Sequence, residues 1–106
     1  MANATGTVRV TIDQLHRFCV EALRRCDVPD DHARTTADVL VATDAHGVFT
    51  HGTKLLRGYV RRLHAGGIKA GVSPTVDKDG PAWAIVDGHS GLGMVTSVFA
   101  MNLAIE

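Results

Sequence analysis

Two glycine interruptions constrain the fold of this chain, because each one ends a stretch with helical apolar spacing. Gly47 closes a segment that starts near Asp31, and Ala65-Gly66-Gly67 closes another that starts near Thr53. Glycine is favoured where a helix stops, since it adopts the left-handed backbone conformation of a C-terminal cap without steric cost. The first 67 residues are therefore predicted to form helices joined by short turns.

Three helices are predicted in this part of the chain. The first begins after Thr11, because Thr11-Ile12-Asp13-Gln14 matches a capping box, and it continues to Arg25. The second runs from about Asp31 to Ala42 or Asp44, with Asp30 or Asp31 as its cap, and the third from about Thr53 to His64. Their apolar faces are Ile12, Leu15, Cys19 and Leu23 (flanked by Phe18 and Val20), then Ala33, Ala37, Leu40 and Val41, then Leu55, Leu56, Tyr59, Val60 and Leu63.

After Gly67 the composition changes, and strands become the better prediction. Residues 68–76 read as an extended connection, 77–81 as a turn and 82–87 as a strand with one buried face. A glycine loop, Gly88 to Gly93, precedes a last helix that begins near Met94 and reaches the final residue without a cap. The expected class is mixed α/β, and the uncapped last helix suggests a piece of a longer protein.

Charge and apolar patterning argue against nucleic-acid and membrane partners, and the cysteine spacing argues against a disulfide. Lys plus Arg and Asp plus Glu are both 11, so the net charge is zero and gives no footprint for nucleic acid or an anionic membrane. No apolar run approaches the roughly 20 residues of a membrane span, and Met1 to Thr7 lacks a basic-then-apolar signal pattern. Cys19 and Cys26 would lie about 10 Å apart along one helix, too far for a disulfide. Reduced thiols and a cytoplasmic location are expected.

His51 is the strongest candidate for chemistry, because it lies between Thr50 and Gly52 near the start of the third helix. The partial positive charge of a helix N-terminus favours a neutral imidazole, which can accept or donate a proton near neutral pH. The Thr50 hydroxyl could hold the ring in one tautomer. Alternatively, Thr50 is only a helix cap and His51 only a surface turn residue. Taken alone, the residues favour this second interpretation.

Other polar groups are weaker candidates. Asp44, His46 and His51 match no common metal-ligand spacing, so no metal site is expected. Lys54 is the basic residue nearest His51 and could neutralise a substrate carboxylate, although a solvated helix face that also includes Arg57 and Arg61 is the alternative. His32, His64 and His89 are expected to face solvent.

The glycine loop is a weak dinucleotide signal. The fingerprint requires Gly-x-Gly-x-x-Gly, whereas residues 88–93 read Gly-x-x-Gly-x-Gly. A tight turn that lets the backbone approach another segment explains these glycines equally well.

A longer pattern resembles the N-terminal part of the malate/L-lactate dehydrogenase family of the second type. That family includes ureidoglycolate, sulfolactate and diketogulonate dehydrogenases or reductases and a cyclic imino acid reductase. The resemblance covers about Val10 to Glu106. Its blocks are Asp44-x-x-Gly47-x-x-Thr50-His51-Gly52, Tyr59, Arg62-Leu63-x-Ala65-Gly66-Gly67-Ile68, Ile85-Val86-Asp87-Gly88-x-x-Gly91-Leu92-Gly93 and Ala100-Met101-x-x-Ala104-Ile105.

The resemblance implies a non-Rossmann α/β fold and an NAD- or NADP-dependent oxidoreductase that interconverts small 2-hydroxy acids and 2-keto acids, typically as a homodimer. It gives His51 the proton exchange with the substrate oxygen and Thr50 the supporting hydroxyl. Residues 1–67 would be the helical segment that bears this motif, and 68–106 the start of the central α/β domain. The acidic partner of the histidine lies beyond residue 106 in the family, so the chain alone is expected to be inactive.

Two departures from the family pattern affect the substrate more than the reaction. Leu55 stands where many members have an Arg that holds the substrate carboxylate, so Lys54 or Arg57 would have to replace it. His46 stands where many members have Arg. Two other functions remain open at this point. One is a small helical DNA-binding or interaction module that uses the basic edge of the third helix, and the other is a catalytically inactive structural piece.

Overall fold

The computed structural model describes residues 6–106, so the start of the Met1–Thr7 stretch considered for a targeting signal lies outside the described residues. A helical part is followed by a two-stranded hairpin and a final helix, which confirms the mixed α/β class. The elements are α1 (Ile12–Arg24), α2 (Asp30–Ala45), a 3₁₀ helix (Thr53–Leu55), α3 (Leu56–Ala65), β1 (Thr75–Gly80), β2 (Trp83–Asp87) and α4 (Gly93–Ile105).

The predicted capping box starts α1. The Thr11 hydroxyl accepts the Gln14 N–H at 3.1 Å, and the Gln14 side chain accepts the Thr11 N–H at 3.0 Å, so two free donors of the first turn are satisfied. Cys19 and Leu23 are buried, whereas Ile12 and Phe18 remain exposed. Leu15 packs against the core as well, so the predicted apolar stripe is confirmed from Leu15 to Leu23 and is wrong only at Ile12.

The second helix forms the core with α1, and its four predicted apolar residues, Ala33, Ala37, Leu40 and Val41, are all buried. The predicted cap is wrong, because Pro29 is the N-cap and neither Asp30 nor Asp31 caps the helix. The expectation for His32 is also wrong, since only 14% of its side chain is exposed.

The third helical segment differs from the prediction at its start and agrees at its end. Residues 53–55 form a 3₁₀ helix, and α-helical geometry begins only at Leu56. The glycine stop is confirmed, because Gly66 caps α3 with a left-handed backbone at φ 84°.

The hairpin corrects two predictions. Residues Asp77 to Gly80, predicted as a turn, belong to β1, which pairs antiparallel with β2 from Thr75↔Asp87 to Gly80↔Trp83. The chain reverses at Pro81 and Ala82, one step later than the turn-forming residues suggested. The expected buried face of β2 is wrong as well, because Trp83 is 56% and Ile85 51% exposed.

The last helix, α4, contacts α2 and β2, and Leu92 at its start joins the core of the helical part.

Both cysteines are free thiols, as predicted. None of the helices within residues 6–106 combines the length and apolar character needed to cross a membrane.

Candidate functional site

The Thr-His-Gly motif lies in the turn between α2 and the 3₁₀ helix. His46 caps α2, and Gly47 turns the chain with a left-handed backbone at φ 83°. The turn then folds back on the helix, because the Val48 N–H donates to the Thr43 carbonyl at 3.1 Å. The His51 N–H donates to the Val48 carbonyl at 3.2 Å, which fixes the backbone just before Gly52.

Thr50 and His51 form a hydrogen-bonded pair on the surface of this turn. The Thr50 Oγ1 and His51 Nδ1 atoms are 2.8 Å apart, and both residues are exposed. The contact occupies Nδ1, so Nε2 is the ring atom left to meet a ligand. A proton donor or acceptor with one nitrogen held and the other open is suited to general acid–base chemistry.

The geometry corrects two interpretations of this pair. Thr50 is not a helix cap, because the N-cap of the 3₁₀ helix is Gly52, without a side-chain hydrogen bond. His51 also lies well before Leu56, where α3 begins. A helix dipole acts mainly within the first turn, so α3 is not the source of the expected preference for a neutral imidazole.

Asp44 contributes a contact that sequence reasoning missed. Both oxygens of its carboxylate lie 3.3 Å from the Thr53 backbone nitrogen, and its Oδ2 also accepts the Thr53 hydroxyl. Asp44 belongs to the last turn of α2, so this contact joins the two ends of the turn that carries His51. Nine positions separate the partners, a spacing that matches no local pattern of helix capping.

The two predicted substrate-binding residues follow the turn. Lys54 lies in the 3₁₀ helix and Arg57 in the first turn of α3, and both are exposed. Neither makes an ion pair within residues 6–106, so their charges remain available to an anion. Further along α3, the Arg62 guanidinium lies 5.5 Å from the centre of the Tyr59 ring, an ordinary cation–π distance.

The remaining histidines have structural partners. The His46 Nδ1 atom lies 2.7 Å from the Ala42 carbonyl, and no group of three or more potential metal ligands occurs in the described part of the chain. His64 and His89 are exposed, as predicted, and His89 Nε2 lies 2.7 Å from Thr75 Oγ1. The contact between His16 Nε2 and Asp38 Oδ1, at 2.6 Å, joins α1 to α2 and was not anticipated.

The glycines of the loop 88–93 allow other parts of the chain to pack closely against its backbone. A Cβ atom at Gly88 would lie 2.5 Å from Thr96 Oγ1, and one at Gly91 would lie 2.9 Å from Val72 Cγ2. The space above these glycines is thus filled by side chains of the same chain. This agrees with the tight-turn interpretation of the loop.

Comparison with known sequences identifies the family. Residues 10–106 match the sequence profile described as malate/L-lactate dehydrogenase. The chain belongs to that family. The match favours an oxidoreductase over the DNA-binding module considered from the sequence.

Individual relatives support the same assignment. The chain is 38% identical over 99 residues to a malate dehydrogenase of Pyrococcus horikoshii, a match that covers 93% of this chain and 28% of the relative. It is 36% identical over 90 residues to an L-sulfolactate dehydrogenase of Methanocaldococcus jannaschii, covering 85% and 26%. It is 28% identical over 99 residues to the ureidoglycolate dehydrogenase (NAD+) of Escherichia coli K12, covering 93% and 28%.

Solved structures confirm that the folds are alike. The Pyrococcus horikoshii malate dehydrogenase superposes with a TM-score of 0.88 at 39% identity, over 92% of this chain and 28% of that one. The sulfolactate dehydrogenase of Methanocaldococcus jannaschii gives 0.87 at 33% identity, over 91% and 28%. The chain therefore spans only about 28% of the length of these relatives.

Proposed function

We propose that this chain supplies the proton-transfer histidine of an NAD- or NADP-dependent oxidoreductase that interconverts small 2-hydroxy acids and 2-keto acids. The observation that carries the proposal is the 2.8 Å contact between Thr50 Oγ1 and His51 Nδ1, in an exposed turn within the family match. The relatives' names support the reaction class, since malate and sulfolactate are both 2-hydroxy acids.

The proposed role of His51 is to move one proton at the substrate oxygen. During oxidation, the unprotonated Nε2 atom accepts the proton of the substrate hydroxyl, and the nicotinamide would take the hydride from the carbon that bears it. During reduction, the protonated ring returns a proton to the same oxygen. Thr50 contacts the other ring nitrogen, Nδ1, so Nε2 is the atom that exchanges the proton in both oxidation and reduction.

Lys54 and Arg57 are proposed to attract and hold the carboxylate of the substrate. Both are exposed cations without an ion-pair partner in the described part of the chain, and both follow His51 closely in sequence. A cation that fixes the carboxylate would orient the neighbouring hydroxyl or carbonyl carbon toward the histidine.

The cofactor assignment rests on relatives, one of which is named for NAD+. At the glycine loop, Thr96 and Val72 already lie against Gly88 and Gly91, and the order of the glycines differs from the dinucleotide fingerprint, so these residues do not fit that group. We propose that it is bound by parts of the family fold that this chain does not span.

We further propose the organisation that the family resemblance implied. Residues 1–67 would form the segment that carries the proton donor, and 68–106 would begin the central α/β domain. The whole enzyme would act as a cytoplasmic homodimer, and the 106 residues alone would lack activity, because no acidic side chain bonds to His51 within residues 6–106.

Replacement of His51 tests the proposal. In the longest natural polypeptide that carries these residues, His51→Gln should lower kcat about 10²–10⁴-fold, because the variant cannot exchange the proton. The assay is NADH- or NADPH-dependent reduction of a panel of 2-keto acids, followed by loss of reduced-nicotinamide absorbance. His64→Gln, at an exposed histidine near the end of α3, is the control and should retain normal turnover. Normal turnover of His51→Gln would rule out the assignment.

A further inference from the structure

The turn that carries His51 is closed by one carboxylate. Asp44, at the end of α2, contacts both the backbone N–H and the hydroxyl of Thr53, at the start of the 3₁₀ helix. These contacts, referred to here as the Asp44 clamp, join the two ends of the eight-residue turn 45–52. The Thr50–His51 pair lies inside that turn, directly before Gly52.

Gly52 makes the clamp geometrically possible. A Cβ atom at this position would lie 1.8 Å from Asp44 Oδ1 and 3.0 Å from the Leu40 carbonyl oxygen. No side chain other than hydrogen fits between the carboxylate and the backbone at these distances. The backbone angles of Gly52 are φ −98° and ψ −138°, and the close approach of Asp44 is the contact that excludes a side chain at this position.

The position of Asp44 is electrostatically unfavourable for α2. The C-terminal turn of a helix carries partial negative charge, which disfavours an acidic side chain. The negative charge of Asp44 also acts on a core residue, because it adds to the effect of burial in raising the pKa of the Cys19 thiol. The stability of α2 does not explain an aspartate at this position, whereas the contacts of Asp44 with Thr53 do.

Little else within residues 6–106 fixes His51. Within that range its ring hydrogen-bonds to the neighbouring Thr50 hydroxyl, and its backbone N–H bonds to the Val48 carbonyl in the same turn. The orientation of the whole Thr50–His51 pair therefore depends on how the turn is anchored at its two ends. At the 3₁₀ end, the anchor is the Asp44 clamp.

We propose that Asp44 is a positioning residue for His51, acting through Gly52 and Thr53. The inference rests on the proposed function of His51 for its catalytic consequence, but the positioning itself can be measured without activity. Within residues 6–106 no hydrogen bond joins Asp44 to His51, so Asp44 acts by holding the turn rather than by sharing the transferred proton.

Nuclear magnetic resonance of the ¹⁵N-labelled chain tests the positioning directly. In Asp44→Ala, the Thr53 amide proton should lose its hydrogen-bonded shift, and the His51 ring nitrogens should move toward values averaged over both tautomers. The backbone order parameter of His51 should fall from about 0.85 to below about 0.6. Asp31→Asn, an exposed carboxylate on the same helix, is the control and should leave the His51 signals unchanged. A folded Asp44→Ala chain with unchanged His51 signals would overturn the proposal.

A milder variant keeps the test informative if Asp44→Ala does not fold. Thr53→Val removes the hydroxyl donor but leaves the backbone N–H, so the His51 signals should move in the same direction by a smaller amount. Unchanged His51 signals in Thr53→Val, combined with an unfolded Asp44→Ala, would also overturn the proposal, since Asp44 would then have only a structural role.

Kinetics separate this inference from the proposed function. In the longest natural polypeptide, Asp44→Ala should lower kcat on the order of 10²-fold, as expected for a displacement of about 1 Å, with KM for the keto acid little changed. Asp44→Asn keeps one acceptor for Thr53 and should recover part of that loss. If His51→Gln is inactive while Asp44→Ala is normal, the clamp proposal fails and the function stands. If Asp44→Ala shifts the His51 signals while His51→Gln is active, the function fails and the clamp stands.

Discussion

The Cys19 thiol belongs to the core shared by α1 and α2, with none of its residue surface exposed. Burial, followed by the charge of Asp44, raises its pKa from 9.0 to about 11. The half-buried Cys26 thiol also has a raised pKa, because of its own burial and the charge of Asp27. Both effects favour the neutral thiol in the folded state.

The shifted Cys19 pKa predicts a loss of stability at alkaline pH. Above pH 9 the thiol ionises in the unfolded chain but stays protonated in the folded one, so the free energy of unfolding should fall between about pH 9 and 11. Two pKa units correspond to at most about 3 kcal/mol. Urea unfolding at pH 8, 9 and 10 should show a shallower decline for Cys19→Ala than for the wild type. Parallel declines for the two proteins would contradict the prediction.

At the scale of single elements, the Thr11 capping box makes α1 sensitive to one hydroxyl. Thr11→Ala leaves the Gln14 N–H without its side-chain acceptor and should lower the free energy of unfolding by about 1 kcal/mol. Thr11→Ser keeps the oxygen and should remain close to the wild type. Chemical denaturation midpoints of the two variants provide the measurement. Equal destabilisation by Ala and Ser would show that the hydroxyl has no role in the cap.

The elements that were predictable are those whose signals are local. The capping box requires residues three positions apart, and the Gly66 stop requires one residue, so both could be inferred from the sequence. The hairpin could not, because Asp77 to Gly80 have turn-forming side chains and become a strand only through pairing with β2. Strand formation there depends on a partner, which composition does not reveal.

One contact of the candidate site could be predicted from the sequence, and another could not. Thr50 and His51 are neighbours, so their hydrogen bond could be anticipated from adjacency. The Asp44 contact with Thr53 arises only after Gly47 reverses the chain, which brings residues nine positions apart together. Gly52 is visible in the sequence, but the reason for a glycine there becomes clear only when the structure shows which carboxylate approaches it.

At the scale of the whole molecule, the hairpin and α4 present an unusual apolar surface. The thirteen residues of α4 include no charged side chain, yet Met101 is 62% and Ile105 74% exposed. Trp83 and Ile85 of β2 are also more than half exposed, and a groove of about 390 Å³ lies between the hairpin and the end of α4. A helix that is apolar on all sides is normally buried. The family relatives are more than three times as long as this match, which is consistent with a surface that is covered in their complete folds.

This surface predicts self-association of the 106-residue chain. Sedimentation velocity should show oligomers that increase with concentration, and Trp83 fluorescence should shift to shorter wavelength as the indole leaves water. Met101→Glu places a charge on the apolar surface and should favour the monomer. Phe18→Glu places the same charge on the exposed face of α1, where Phe18 is 64% exposed, and should leave association unchanged. If Phe18→Glu dissociates the oligomers and Met101→Glu does not, the contact is made by α1. A monomeric wild type at high concentration would show that the exposed apolar area of α4 and β2 is too small to drive association.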